Sequence, residues 1–223
     1  MLSVRAQKLT RVYRQDSVEV RALDGVDLDV EKGAFIALVG PSGSGKSTLL
    51  NLIGGLDRPT SGRLWVEDQE LERLSRRALT ELRLRRIGFV FQQYNLIPVL
   101  TAIENVEYVM LLQGLPDAER RTRARTILAE VGLAGLEDRR PGELSGGQQQ
   151  RVAVARAIVT APALVLADEP TANLDSATGA GLMDLMRELN ETKGITFIFS
   201  THDPMVMERA RRLVRLRDGR VVA

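Results

Sequence analysis

The chain has no cysteine and a single histidine, His202. The first absence excludes disulfides and thiolate metal sites and permits a reducing compartment. The second leaves little to titrate between pH 5 and 8. A net charge of only +2 and a pI near 9.2 therefore describe the same small excess of Lys and Arg. That pI is no argument for nucleic-acid binding. Long apolar runs are missing too. The longest, 157-AIVTAPALVLA-167, contains Pro162 and falls short of the roughly 20 residues that a bilayer span needs. The start, MLSVRAQKLTRVYRQ, has no apolar stretch before a cleavage site and does not read as a signal peptide. Repeats, low-complexity tracts and long linkers are also lacking. At 223 residues, 44% hydrophobic and 27% charged, the chain can bury a substantial core as one domain or one domain with an inserted lobe.

What is present is an alternation of strand-like and helix-like text. The segment 26-VDLDV-30 alternates apolar and acidic residues, as half-buried strands do. The run 34-AFIALVG-40 is nearly continuous in apolar residues, as a strand covered on both faces is. Two more such runs, 163-ALVLAD-168 and 195-ITFIFSTH-202, end in polar residues. Buried strands alternating with helices predict an α/β fold with a mostly parallel sheet and ligands at the strands' C-terminal ends. From Thr101 to Leu133 only helical periodicity is found, with Ile103, Val106, Val109 and Met110 on one face. Residues 93–150 read as a helical lobe inserted into an α/β body of 1–92 and 151–223, within a single domain 1–223. The tail 213-LVRLRDGRVVA-223 predicts two short strands around an Asp-Gly turn.

The stretch Gly40, Pro41, Ser42, Gly43, Ser44, Gly45, Lys46, Ser47, Thr48 fits G-x-x-x-x-G-K-[ST] between a buried strand and a helix. Its glycines let the backbone wrap close and aim N–H groups at phosphate oxygens, helped by the helix N-terminus. Lys46 would bridge the β- and γ-phosphates, and Ser47 would offer a hydroxyl to Mg²⁺. The segment 164-LVLADEP-170 supplies the matching acid, because a carboxylate ending a buried strand is costly unless it meets positive charge. Asp168 is placed to hold Mg²⁺ through water, and Glu169 to orient and deprotonate the attacking water. Without a ligand, the same two carboxylates read as caps of the next helix. His202 ends a third buried strand at the same edge, where it would hydrogen-bond the γ-phosphate and steady Glu169 and the water.

A second anion cradle is then unexpected, yet 143-ELSGGQQQR-151 offers a hydroxyl and unencumbered N–H groups at a helix start. Ser145 alone would make an ordinary helix cap. Two following glycines, however, weaken a first turn.

Taken in order, 40-GPSGSGKST-48, Gln92 in 89-FVFQQ-93, 144-LSGGQ-148, 164-LVLADE-169, 173-NLD-175 and His202 make the chain resemble the ATP-binding subunits of ABC transporters over essentially its full length. The resemblance implies a P-loop NTPase core with an N-terminal antiparallel β subdomain and an inserted α-helical lobe. It implies ATP and Mg²⁺ as cofactors, with Gln92 contacting the metal and the attacking water and joining the body to the lobe. Gln93 stands beside Gln92 and leaves that assignment open by one residue. Asp175 belongs to the loop that communicates across two subunits. Tyr13 in 9-LTRVYRQ-15 matches the aromatic that stacks on adenine, although a strand tyrosine packed on the core reads the same way. Ser145, Gly146, Gly147 and Gln148 would close on the γ-phosphate of ATP held in the Lys46 loop of a second, antiparallel copy. Two cradles in one chain thereby become intelligible.

The resemblance also implies a separate transmembrane permease as partner and a peripheral place on the cytoplasmic face of the bacterial inner membrane. No direct nucleic-acid contact is expected. The receiving surface would lie around 92-QQYNLIPVLTAIENV-106, where Leu96, Ile97, Val99 and Leu100 either accept a short helix or pack the lobe. The basic runs 83-RLRR-86 and 120-RRTRAR-125 read as solvated helix faces or as neighbours of anionic headgroups. DNA-repair relatives carry long inserted coiled coils and translation-associated ones a duplicated motif set; neither is present. The segments 89-FVFQQYNLIPVLTAIENVEY-108 and 54-GGLDRPTSG-62 look most like ATPases of the macrolide-exporter and lipoprotein-releasing type, with the cell-division ATPase a cousin. The end at 218-DGRVVA-223 fits that compact type.

Overall fold

The computed structural model describes residues 1–15 and 18–222. Two sheets carry the fold. The first is antiparallel. A long ribbon of β1 (Leu2–Gln15) and β2 (Val18–Glu31) is flanked by β4 (Ser61–Val66) and β5 (Gln69–Glu70), in the order β2-β1-β4-β5. The alternation seen in the sequence survives: Val26, Leu28 and Val30 are buried, while Asp27 and Asp29 face out. Register shifts along β1, between Ala6 and Leu9 and again near Arg11, bend the ribbon over the second sheet.

That second sheet has the order β10-β9-β3-β8-β7-β6. Its strands are β3 (Phe35–Val39), β6 (Ile87–Val90), β7 (Leu164–Asp168), β8 (Thr196–Thr201), β9 (Arg212–Arg217) and β10 (Arg220–Val222). All pairings are parallel except the β9–β10 edge hairpin. Asp218 and Gly219, with φ of 50° and 75°, make its two-residue turn, as the Asp-Gly dipeptide foretells.

The apolar runs are continuous because both faces are covered. Ile36, Leu38, Leu164, Leu166 and Ile198 share one core with α1 (Lys46–Ile53) and the antiparallel sheet. The intervening Phe35, Val165, Ala167, Phe197 and Phe199 share the other, with α5 (Gly146–Ile158) and α6 (Ser176–Lys193). Within it the Phe35 and Phe199 rings meet edge-on with centroids 4.6 Å apart.

Helix α2 (Arg76–Arg86) precedes β6; α3 (Ala102–Leu112) and α4 (Asp117–Glu130) pack together and against α5. The expected inner face of α3 is found: Ile103, Val106 and Met110 are buried and Val109 half-buried. Helix α5 runs unbroken through residue 150, so the helical and α/β parts share one rod instead of meeting at a linker. The short α7 (Pro204–Arg209) follows β8.

Parallel register sets the stage for chemistry. Val39 lies opposite Thr201, and Asp168 opposite Ser200. Gly40, Glu169 and His202, each just beyond one of these strand ends, therefore emerge at one edge. The sheet is seated on α5 through Gly88 in β6, where a Cβ would lie 2.3 Å from the Ala157 carbonyl oxygen. Backbone on backbone leaves no side chain to yield. Gly88→Ala is expected to lower stability by about 1–3 kcal/mol; a urea midpoint equal to that of wild type would contradict this packing.

Candidate functional site

The loop from Gly40 to Gly45 joins β3 to α1. Gly45 caps α1 at φ 102°, with no side chain on the helix's first amides. A Cβ there would sit 2.5 Å from the Ala22 carbonyl, and one on Gly40 2.2 Å from that of Leu216. Only glycine lets the loop curl this tightly against β2 and β9. Lys46 is 7% exposed. Its ammonium donates to Gly40 O at 2.7 Å and Pro41 O at 2.9 Å, which holds it over the loop.

Opposite stands the end of β7. Ser47 Oγ donates to Asp168 Oδ1 at 3.0 Å, and Ser200 Oγ bonds the same oxygen. Glu169 adopts a left-handed φ of 46° while its amide still reaches Ser200 O at 3.0 Å. Such a conformation costs a non-glycine residue about 1–3 kcal/mol. It turns the side chain to His202, whose Nδ1 lies 2.7 Å from Glu169 Oε1. Glu169 is largely sheltered and His202 largely exposed.

The loop, Ala22, Gln92, Glu169 and His202 together line a cleft of about 670 Å³. The residues fit a divalent cation that carries phosphate. Among the described residues no cluster of three acidic or imidazole ligands exists, but one hydroxyl and one carboxylate converge at the loop. Mg²⁺ needs no more from a protein when phosphates and water complete its shell.

Other expected residues lie elsewhere. Tyr13 does not line the cleft. Its hydroxyl donates to Asp57 Oδ2 at 2.9 Å, and the Arg11 guanidinium sits 4.4 Å over its ring. The segment 144–148 is also absent from the lining. Ser145 caps α5 in a reciprocal box with Gln148, Ser145 N donating to Oε1 at 2.9 Å and Gln148 N to Oγ at 3.3 Å. Both following glycines meet neighbours within the chain. A Cβ on Gly147 would lie 2.4 Å from Thr178 Cγ2, and one on Gly146 2.9 Å from Tyr94 Oη. Asp175 caps α6 by accepting from the amides of Ala177 and Thr178 and from the Thr178 hydroxyl. The bond from the Thr178 hydroxyl, more than any other contact, holds the Asp175 carboxyl below the usual range. Of the four apolar residues expected on a docking face, Leu96 packs against the core, Ile97 and Leu100 are half-buried, and Val99 is 73% exposed.

Sequence reasoning missed how residues 91–97 are held. Buried Gln150 donates to Pro170 O at 2.7 Å and weakly to Phe91 O at 3.4 Å. Asn173 Nδ2 donates to Gln92 O at 2.8 Å. Arg156 donates to Tyr94 O at 2.9 Å and Asn95 O at 2.6 Å. Tyr94 and Asn95 are both left-handed, with φ of 56° and 49°. Buried Asn105 accepts from Ile97 N at 2.8 Å and donates to the carbonyls of Ile97, Leu100 and Thr101. Outside this segment lies a groove of about 390 Å³ whose walls include Arg83, Phe89, Phe91, Asn95, Val109 and Arg156. The polar residue at 105 on the apolar face of α3 was the one visible signal.

A family model described as ABC transporter matches residues 23–172, about two thirds of the chain. The chain is 46% identical, over 99% of its length and 93% of the relative's, to the lipoprotein-releasing system ATP-binding protein LolD of Chromohalobacter salexigens. It is 48% identical over 99% of its length to the macrolide export ATP-binding/permease protein MacB of Hyphomonas neptunium, of which it spans only 34%. Among solved structures it is similar, with a TM-score of 0.91 and 43% identity over 99% of this chain and 97% of the other, to a dimeric ATP-binding cassette in a post-hydrolysis state bound to ADP and Pi.

The anchoring of the loop before α3 is directly testable. Asn105→Ala strands several buried backbone groups and is expected to cost about 2 kcal/mol or more. The Ile97 amide should lose hydrogen-exchange protection at the same time. Protection unchanged at Ile97 would contradict the anchor.

Proposed function

The chain belongs to the ABC transporter family, and from that premise we propose that it is the ATP-hydrolysing subunit of a bacterial transport complex. It works as a pair of identical copies coupled to a separate membrane subunit. The observation that carries this reading is the composition of the cleft. Lysine loop, Gln92, Glu169 and His202 line one cavity, with Asp168 bonded to its Ser47, while the Ser145–Gln148 turn of the same chain does not line it.

The phosphate chain of ATP lies along the loop, received by backbone N–H groups of Ser42 to Thr48 and by the α1 N-terminus. Lys46 places its ammonium between the β- and γ-phosphates. Ser47 and Asp168, with Gln92 near, would hold Mg²⁺, whose charge would offset that building on the transferred phosphoryl. Glu169 Oε1 bonds His202, which fixes the carboxylate and leaves Oε2 to orient the water and take its proton. For His202 to donate toward the γ-phosphate through Nε2 as well, the ring must carry both of its N–H groups. The half-exposed ring of Tyr13 stacks on adenine.

Ser145, Gly146, Gly147 and Gln148 of the second copy complete the site from above. ATP then favours the closed pair, and loss of the γ-phosphate releases it. Moving such an equilibrium from 1:99 to 99:1 takes about 5.5 kcal/mol. Two nucleotides, each gripped by several charge-assisted hydrogen bonds, are of the right order.

The helical lobe, 93–150, carries the contact with the membrane subunit. That contact is made beside residues 92–106, where Val99 is exposed and the groove opens. One observation supports a permease partner. The macrolide-export relative carries permease in its name, and this chain accounts for a third of it. The subunit therefore sits peripherally at the cytoplasmic face of the inner membrane, with a permease of the macrolide-export or lipoprotein-releasing type and no direct nucleic-acid contact.

Glu169→Gln is expected to cut hydrolysis at least about a hundredfold and to accumulate an ATP-bound dimer in size-exclusion chromatography. Hydrolysis near the wild-type rate would overturn Glu169 as the base.

A further inference from the structure

Arg156 lies in the last turn of α5, on the far side of the Gln92 segment from the phosphate loop. A cation at a helix C-terminus needs no special explanation, since the dipole favours it there. The partners of this one do. Among the described residues it bonds no carboxylate; its fork spans the carbonyls of Tyr94 and Asn95. These are consecutive left-handed residues, a backbone shape that reverts unless something outside the segment holds it. The N-terminal half of the same segment is tied to the β7 side, through Gln150 to Phe91 and Asn173 to Gln92. Residues 91–95 are thus pinned at two ends, by Gln150 of α5 and Asn173 beyond β7 at one and by the Arg156 guanidinium at the other.

We infer that Arg156 is a positioning residue for hydrolysis: by clamping Tyr94 and Asn95 it sets where Gln92 stands in the nucleotide cleft. This rests on the reading of that cleft as an ATPase site. The requirement is geometric. A planar guanidinium reaches two adjacent carbonyls at once, whereas an ammonium keeps the charge at the helix end but cannot span both in the same way. Arg156 is half-buried and lines the groove, not the cleft, so toward Gln92 it acts through the backbone it holds.

Arg156→Lys separates the clamp from the helix-end charge. It is expected to lower kcat for ATP roughly tenfold, as a small misplacement of a reacting group does. KM, the affinity for a fluorescent ATP analogue and Tm should stay at wild-type values. Placed in Gln92→Ala, the same substitution should add no further loss, because the clamp acts through that side chain. Wild-type kcat in Arg156→Lys would overturn the inference, since charge alone would then suffice. A fall in Tm that tracks the fall in rate, or a full additional loss in the Gln92→Ala background, would overturn it equally. Absence of ATP hydrolysis by the wild-type protein would instead overturn the reading of the cleft, and the inference with it.

Discussion

The hydrogen bond from Ser47 to Asp168 joins two segments 121 residues apart, and the remainder of the site is arranged around it. A carboxylate at the end of a buried strand is tolerated only if something meets its charge. Here two hydroxyls do, Ser47 from the phosphate loop and Ser200 from the adjoining strand. Of these groups, the Ser47 hydroxyl and the Asp168 carboxylate are the ones a magnesium ion would share with phosphate. Local satisfaction and ligand binding are therefore the same arrangement.

The parallel sheet brings those oxygens together, and its apolar faces bring the sheet together. Each strand presents alternate residues to two different cores, one toward α1 and the antiparallel ribbon, the other toward α5 and α6. The second core reaches Ile103, Val106 and Met110 of α3. Helix α5 crosses that boundary carrying Ser145 at one end and Arg156 near the other. Between cleft and groove runs the segment 91–97. Gln92 and Asn95, three residues apart, line opposite cavities, so a shift on one side has a short backbone path to the other.

Much of this was legible in the sequence because the responsible forces are local. A strand buried on both faces must be apolar throughout, so 34–39, 163–167 and 195–199 declared themselves. An Asp-Gly pair before a short apolar run declared the β9–β10 turn. The glycine-lysine loop was plain because its backbone shape admits few residues. Less visible were contacts between partners distant in the chain. Arg156 and Gln150 look like ordinary residues of an amphipathic helix, yet their bonds to Asn95 and Phe91 cross 61 and 59 residues. Tyr13 finds Asp57 in the same way. The two glycines after Ser145 show the limit of reasoning from a motif alone: they also make room for Tyr94 and Thr178 of their own chain.

The central claim, that a nucleotide is completed by two copies of the chain, is tested most directly by mixing two inactive variants. Lys46→Ala spoils the phosphate loop and leaves the Ser145 turn; Ser145→Arg does the reverse. A mixed pair retains one site in which an intact loop faces an intact turn. Mixing the purified variants should restore ATP hydrolysis that neither shows alone. A mixture as inactive as its components would contradict the claim.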